Sequence, residues 1–142
     1  METEKIELKK IEGSVSGKRV LLVEDYDFLR KVLAKKLANN GFNVYLAEDG
    51  KQAVDGLEFA NPDIMLLDIM MPVMDGFEVL SAVRSHSDPV LSKIPIIVLT
   101  NLGGDDDIRK ARLLGANDYI IKSDVKTGDI VEKIKTFFTS PF

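Results

Sequence analysis

A chain of 142 residues, 45% apolar and 30% charged, has the size and composition of one soluble globular domain. A net charge of −4 with no basic block argues against direct binding to nucleic acid. With no cysteine, zinc ribbons, iron–sulfur clusters, thiol redox chemistry and disulfides are excluded. No apolar run approaches the ~20 residues that cross a bilayer. Residues 1–12 are charged and lack the apolar core of a signal peptide, so a cytoplasmic location is expected.

Residues 1–18, ending in GSVSGK, read as a flexible, solvated leader, in which Ile6, Leu8 and Ile11 offer a partner an apolar docking segment. Residues 19–23 (RVLLV) are continuously apolar, as a buried strand is. A helix follows to Asn40, with Asp27 as its cap, Phe28, Leu29, Val32, Leu33 and Leu37 at helical spacing and Gly41 as its stop. Residues 43–47 form the second strand, and residues 50–60 a second helix ended near Pro62. Residues 63–67 (DIMLL) are the third strand, after which Asp75 or Gly76 opens a helix through Phe77, Val79, Leu80 and Val83. The fourth strand spans 94–99, with Pro95 near its start, where proline is tolerated. Asp105, Asp106 and Asp107 open the fourth helix at its positive dipole end. A strand at 118–121 and a helix over about 127–138 complete the domain, predicted over 19–139 with a short tail at 140–142. His86 reads as a surface residue, and Phe28, Phe59, Phe77, Phe137 and Phe138 as core and helix-packing residues.

Five strands, each followed by a helix, imply an α/β fold with a parallel sheet covered on both faces. Ligands of such sheets bind beyond the carboxyl ends of the strands. Those ends carry Glu24 and Asp25 after strand one, Asp68 after strand three, Thr100 at the end of strand four and Lys122 after strand five. Three carboxylates, a hydroxyl and an ammonium therefore converge on one edge. Crowded carboxylates repel and take up protons unless a cation intervenes, and hard oxygen ligands suit magnesium. A carboxylate, a metal, a hydroxyl and a lysine are the parts that phosphoryl transfer needs, because it depends on positioning and charge neutralisation.

Four segments make a more specific pattern: LLVEDYD at 21–27, LLDIMMPVMDG at 66–76, IVLT at 97–100 and GANDYIIK at 115–122. Together, in this order and at strand ends, they resemble the receiver domain of two-component response regulators over roughly residues 18–139, and most of all its stand-alone, chemotaxis-regulator-like members. The resemblance implies a flavodoxin-like (βα)5 fold with strand order 2-1-3-4-5. It implies that Asp68 is the phosphoacceptor, beside Mg2+ held by Asp25, by Glu24 through water, and by the backbone carbonyl of Met70. It further implies that Thr100 grips the phosphoryl group, that Lys122 is the family's lysine, and that Tyr119 is the aromatic switch that turns inward after Thr100 moves. Met71-Pro72 and Asp75-Gly76 match the loop that shapes the site.

The implied partners are a histidine kinase or histidine phosphotransfer protein as donor, and a protein target as output. No effector domain follows Phe138, so output is expected through protein contact on the surface of the fourth helix, fifth strand and fifth helix, including a phosphorylation-dependent homodimer. Two residues depart from the family's pattern. Ser123 stands where proline usually follows the lysine, so the 122–123 peptide is either trans in a rearranged loop or a costly non-proline cis bond. Asn101 stands where alanine is common, and its bulk is expected to narrow the approach to the phosphoryl group and crowd Tyr119.

Other readings fit less well. An aspartate-nucleophile phosphatase wants a general acid two residues after its nucleophile, where Met70 stands. EDYD after strand one is hostile to the phosphate of a flavin, and no GxxxxGK[ST] loop is present. A pseudo-receiver, the same fold used only for docking, would not need the acidic pair, Asp68, Thr100 and Lys122 all together.

Overall fold

The computed structural model describes residues 5–14 and 17–139. The expected tail at 140–142 and the first four residues of the leader lie outside them. Five parallel strands form in the expected order: β3 (Asn43–Ala47), β2 (Arg19–Val23), β4 (Ile64–Leu67), β5 (Ile96–Thr100) and β6 (Asp118–Ile121). The sheet nevertheless has six strands, not five, because β1 (Lys9–Ile11) adds an antiparallel edge on β3. Part of the expected leader is therefore built into the fold.

That extension is held by side chains as well as by the ladder. Leu8 is buried, and a Cβ on Gly56 would come within 2.5 Å of it, so the glycine makes its seat. Asn43 accepts from the Gly13 amide and donates to the Ser14 and Gly17 carbonyls, pinning the chain as it turns into β2. Two lysines in three residues gave β1 no strand pattern. Lysines are nonetheless what natural sheet edges carry against further pairing.

Alternation along the strands divides the core in two. Val20, Leu22, Ile64, Leu66, Ile97 and Leu99 face α1 (Asp27–Asn39) and α6 (Thr127–Thr139), which supply Leu33, Leu37, Ile130 and Ile134. Leu21, Val23, Met65, Leu67 and Val98 face the opposite layer of α2 (Gly50–Asp55), α3 (Leu57–Ala60), α4 (Gly76–Arg84) and α5 (Asp105–Leu113). The single helix expected over 50–60 is thus divided at Gly56. Both faces are covered, which is why the strands read as unbroken apolar runs.

Local chemistry sets the helix starts. Asp75 caps α4 in a reciprocal capping box with Glu78. Asp27, expected as a cap, is instead the first residue of α1; the N-cap position is Tyr26, and no side chain bonds there. Gly41 ends that helix at φ +93°, a conformation glycine adopts freely. Of the aromatic residues, Phe77, Phe137 and Phe138 pack on the core, whereas Phe28 and Phe59 are exposed, contrary to expectation. His86 is half-buried: its Nε2 lies 3.3 Å from Glu58, and its Nδ1 accepts from the Asp88 amide.

Candidate functional site

Four loops meet at the carboxyl ends of β2, β4, β5 and β6. The Glu24 and Asp68 amides still donate to Ala47 and Val23 carbonyls, so both residues leave the sheet in strand register. Ligand oxygens of Glu24, Asp25 and Asp68 all lie within 4.8 Å of one another, with Glu24 and Asp68 buried and Asp25 exposed. Lys122 reaches across from the end of β6 to place Nζ 2.5 Å from Glu24 Oε1 and 2.9 Å from Asp68 Oδ2. The other Asp68 oxygen accepts from the Met70 amide at 3.3 Å. The acidic residues and the lysine read from the sequence are thus gathered at one point.

Thr100 is fully buried at the end of β5, and its Oγ1 accepts from the Leu102 amide at 3.5 Å. The Tyr119 hydroxyl donates to the Leu102 carbonyl at 2.6 Å. One residue of the β5–α5 loop therefore touches both members of the expected switch, a link that the sequence did not suggest. Asn101, directly after Thr100, is exposed. The 122–123 peptide is trans, and Lys122–Asp124 form a single 3-10 turn.

The loop after Asp68 is tightly folded. A Cβ on Gly76 would fall 2.4 Å from the Asp68 carbonyl oxygen, so only glycine lets α4 begin this close to the acidic centre. Val73 sits at φ +70°, flanked by a Met74 amide that donates to the Pro72 carbonyl. A β-branched residue there is strained, and such strain clusters where structure serves function.

Burial raises the Glu24 carboxyl to about 7, against the pull of Lys122 and the Tyr26 amide and with the help of the neighbouring Asp68. Burial alone would lower the Lys122 ammonium, but its contacts with Glu24 and Asp68 outweigh that and raise it. Below about pH 4.5 Glu24 carries a proton in both folded and unfolded chains, and above about 7 in neither. Between these limits the folded state holds a proton that the unfolded state lacks, so stability falls as pH rises through the window. Measured as urea midpoints without metal and referenced to Glu24→Gln, the wild type should lose about 3 kcal/mol between pH 4.5 and 7. A flat difference would mean that Glu24 is ionised throughout.

The centre fits a hard divalent cation. Once Glu24 has lost its proton, three carboxylates opposed by one ammonium leave two negative charges, which one such ion cancels. Glu24 Oε1 is buried with the Lys122 ammonium against it, which leaves it placed to turn toward a cation only through its charge. An all-oxygen donor set with an exposed member that keeps access to water suits magnesium.

A doubly covered parallel sheet with an acidic centre and a lysine at its carboxyl edge defines a doubly wound α/β domain with a cation-type site at its strand ends. The sequence matches the response regulator receiver domain family over residues 20–135, and the chain belongs to that family. Receiver domains are phosphorylation-dependent signalling switches rather than enzymes in the ordinary sense. They typically bind Mg2+ and work with histidine kinases or phosphotransfer proteins. The chain is 40% identical over 104 residues to the probable transcriptional regulator ycf27 of Guillardia theta, spanning 73% of this chain and 39% of that protein. It is 38% identical over 104 residues to the response regulator MprA of Mycolicibacterium vanbaalenii, spanning 73% and 43%. The chain thus spans less than half the length of these curated relatives. Among solved structures, the phosphorylated cyanobacterial phytochrome response regulator RcpA superposes with a TM-score of 0.74 at 34% identity, covering 89% of this chain and 97% of that one.

Arg30, which donates to the Glu24 and Asp25 carbonyls, and Arg84, which donates to the Ser92, Ile94 and Gly115 carbonyls, carry no signal in the sequence. Neither motif spacing nor periodicity marks an arginine that binds main-chain carbonyls, which every residue carries.

Proposed function

We propose that Asp68 is the phosphoacceptor of this receiver domain, with Asp25, Glu24 and the Met70 carbonyl holding Mg2+. The observation that carries this reading is the gathering of Glu24, Asp25 and Asp68 at one point, with Lys122 on Glu24 and Asp68, from the ends of three different strands. An Asp68 oxygen forms a bond to phosphorus as the bond to the donor's imidazole nitrogen breaks, and the electron pair leaves with the imidazole. Bound Mg2+ supplies neutralisation of the charge that builds on the transferring oxygens. Lys122, already on Asp68 Oδ2, pairs with the phosphoryl group, and Thr100 moves to donate its hydroxyl to it. Slow loss of the phosphoryl group to water, catalysed by the domain itself, resets it.

A cleft of about 450 Å3 lined by Met70, Met71, Pro72, Phe77 and Leu102 opens beside the acceptor, and a histidine kinase or phosphotransfer protein approaches there. Movement of Thr100 releases the Leu102 amide, and through the Leu102 carbonyl it alters the seat of Tyr119. Tyr119 also lines a groove of about 350 Å3 with Ile121, Val125, Ile130 and Lys133, which carries the change to the face of α5, β6 and α6. A target protein or a second copy of the chain reads that face, in the cytoplasm. Among the described residues no helix is long and apolar enough to cross a membrane.

Beryllofluoride, a phosphoryl mimic, tests the reading with Mg2+ in an amide NMR titration. Amides 68–70 should shift together with Thr100, Leu102 and Tyr119. Shifts confined to the loop around Asp68 would leave the acceptor standing and remove the switch. No shift anywhere would remove both.

A further inference from the structure

Helix α1 begins directly after the acidic pair, and the Glu24 and Asp25 carbonyls in the loop that enters it need a donor. Arg30 supplies it from within the helix. Its side chain is buried, one guanidinium nitrogen donating to the Glu24 carbonyl at 2.9 Å and the Asp25 carbonyl at 3.3 Å. The other donates to Asp27 Oδ1 at 2.5 Å and to Glu48 Oε1 at 3.2 Å, across on the loop after β3. A single planar fork thus binds the main chain of both acidic residues and joins two strand-end loops. We infer that Arg30 is a positioning residue for the metal site: it fixes the backbone from which Glu24 and Asp25 project, and so sets magnesium affinity. The inference rests on the metal reading given above.

Two physical effects make opposite demands, which makes the idea decidable. As a cation near the site, Arg30 repels Mg2+, so its removal should tighten binding if its charge dominates. Asp27 and Glu48 already offset that charge, which leaves the hydrogen bonds to the two carbonyls as the larger effect. Loss of the bonds should weaken binding, because loosened ligands must be ordered again when the metal arrives. Lysine keeps the charge but is a point donor on a flexible stem and cannot make the four contacts together.

The test is calorimetric Mg2+ titration of the wild type, Arg30→Lys and Arg30→Gln, paired with hydrogen exchange of the Tyr26 amide in metal-free protein. That amide donates to Glu24 Oε2 at 3.0 Å and reports the order of the loop. Arg30→Lys should weaken magnesium about tenfold and speed exchange at Tyr26, with Arg30→Gln at least as severe. Unchanged affinity in Arg30→Lys, or tighter binding in Arg30→Gln, would overturn the inference. Should Arg30→Gln not fold, the lysine variant alone decides. Should the wild type bind no magnesium, the metal reading fails, and unaltered Tyr26 exchange would then refute the positioning role separately.

Discussion

Asp68→Asn abolishes phosphorylation while leaving the fold intact. Incubation of the wild type with acetyl phosphate and Mg2+ should add one phosphoryl mass by intact mass spectrometry, and the variant should show none. An amide at this position keeps the shape, but its single carbonyl oxygen replaces only one of the two acceptors that meet the Met70 amide and Lys122, and it is no longer an anionic nucleophile. The substitution also relieves the crowding of three carboxylates, so stability should stay within about 1 kcal/mol of the wild type or rise. An undiminished mass shift would place the acceptor elsewhere, and an unfolded variant would make Asp68 a structural ion-pair residue instead.

Arg84→Ala has the opposite profile: a large loss of stability with the chemistry retained. The Arg84 guanidinium donates twice to the Gly115 carbonyl, at 3.2 and 2.7 Å, and to the Ser92 and Ile94 carbonyls at 3.0 and 2.8 Å. It also reaches Asn117 Oδ1, which in turn accepts from the Ile96 amide. These groups lie before β5 and β6, at the end of the sheet away from Asp68. Alanine strands three carbonyls and removes the tie between α4 and two incoming strands. With charge-assisted bonds worth roughly 1.5–3 kcal/mol each and partial rescue by water, a loss of about 3 kcal/mol is expected. Urea unfolding measures it, and phosphorylation of the folded fraction should be unchanged. A loss below about 1 kcal/mol would mean that solvent replaces the clamp.

These two residues also mark the boundary between what the chain's order of residues decided and what folding decided. Asp68 was legible because a buried parallel strand is a continuous apolar run, and the first polar residue after it must emerge at the strand's end. The same argument located Glu24, Asp25, Thr100 and Lys122, and helical spacing of apolar residues placed the layers on both faces. Local chemistry of that kind acts over a few residues, and sequence displays it directly. Arg84 and Arg30 were not legible, because the carbonyls they bind are groups that every residue possesses and no pattern distinguishes, and Asn117 and Glu48 reach them only once the strands lie side by side. Strand β1 was hidden for a related reason: three edge residues with two lysines have no strand signature until β3 offers them a ladder. The bond from Tyr119 to the Leu102 carbonyl, the trans peptide before Ser123 and the exposure of Phe28 likewise depend on where distant segments come to rest. Periodicity and strand ends alone determined the sheet's parallel core and the acidic centre. Tertiary packing decided the sixth strand and the clamps that hold that centre in place, since backbone groups acquire particular partners only when the chain has folded.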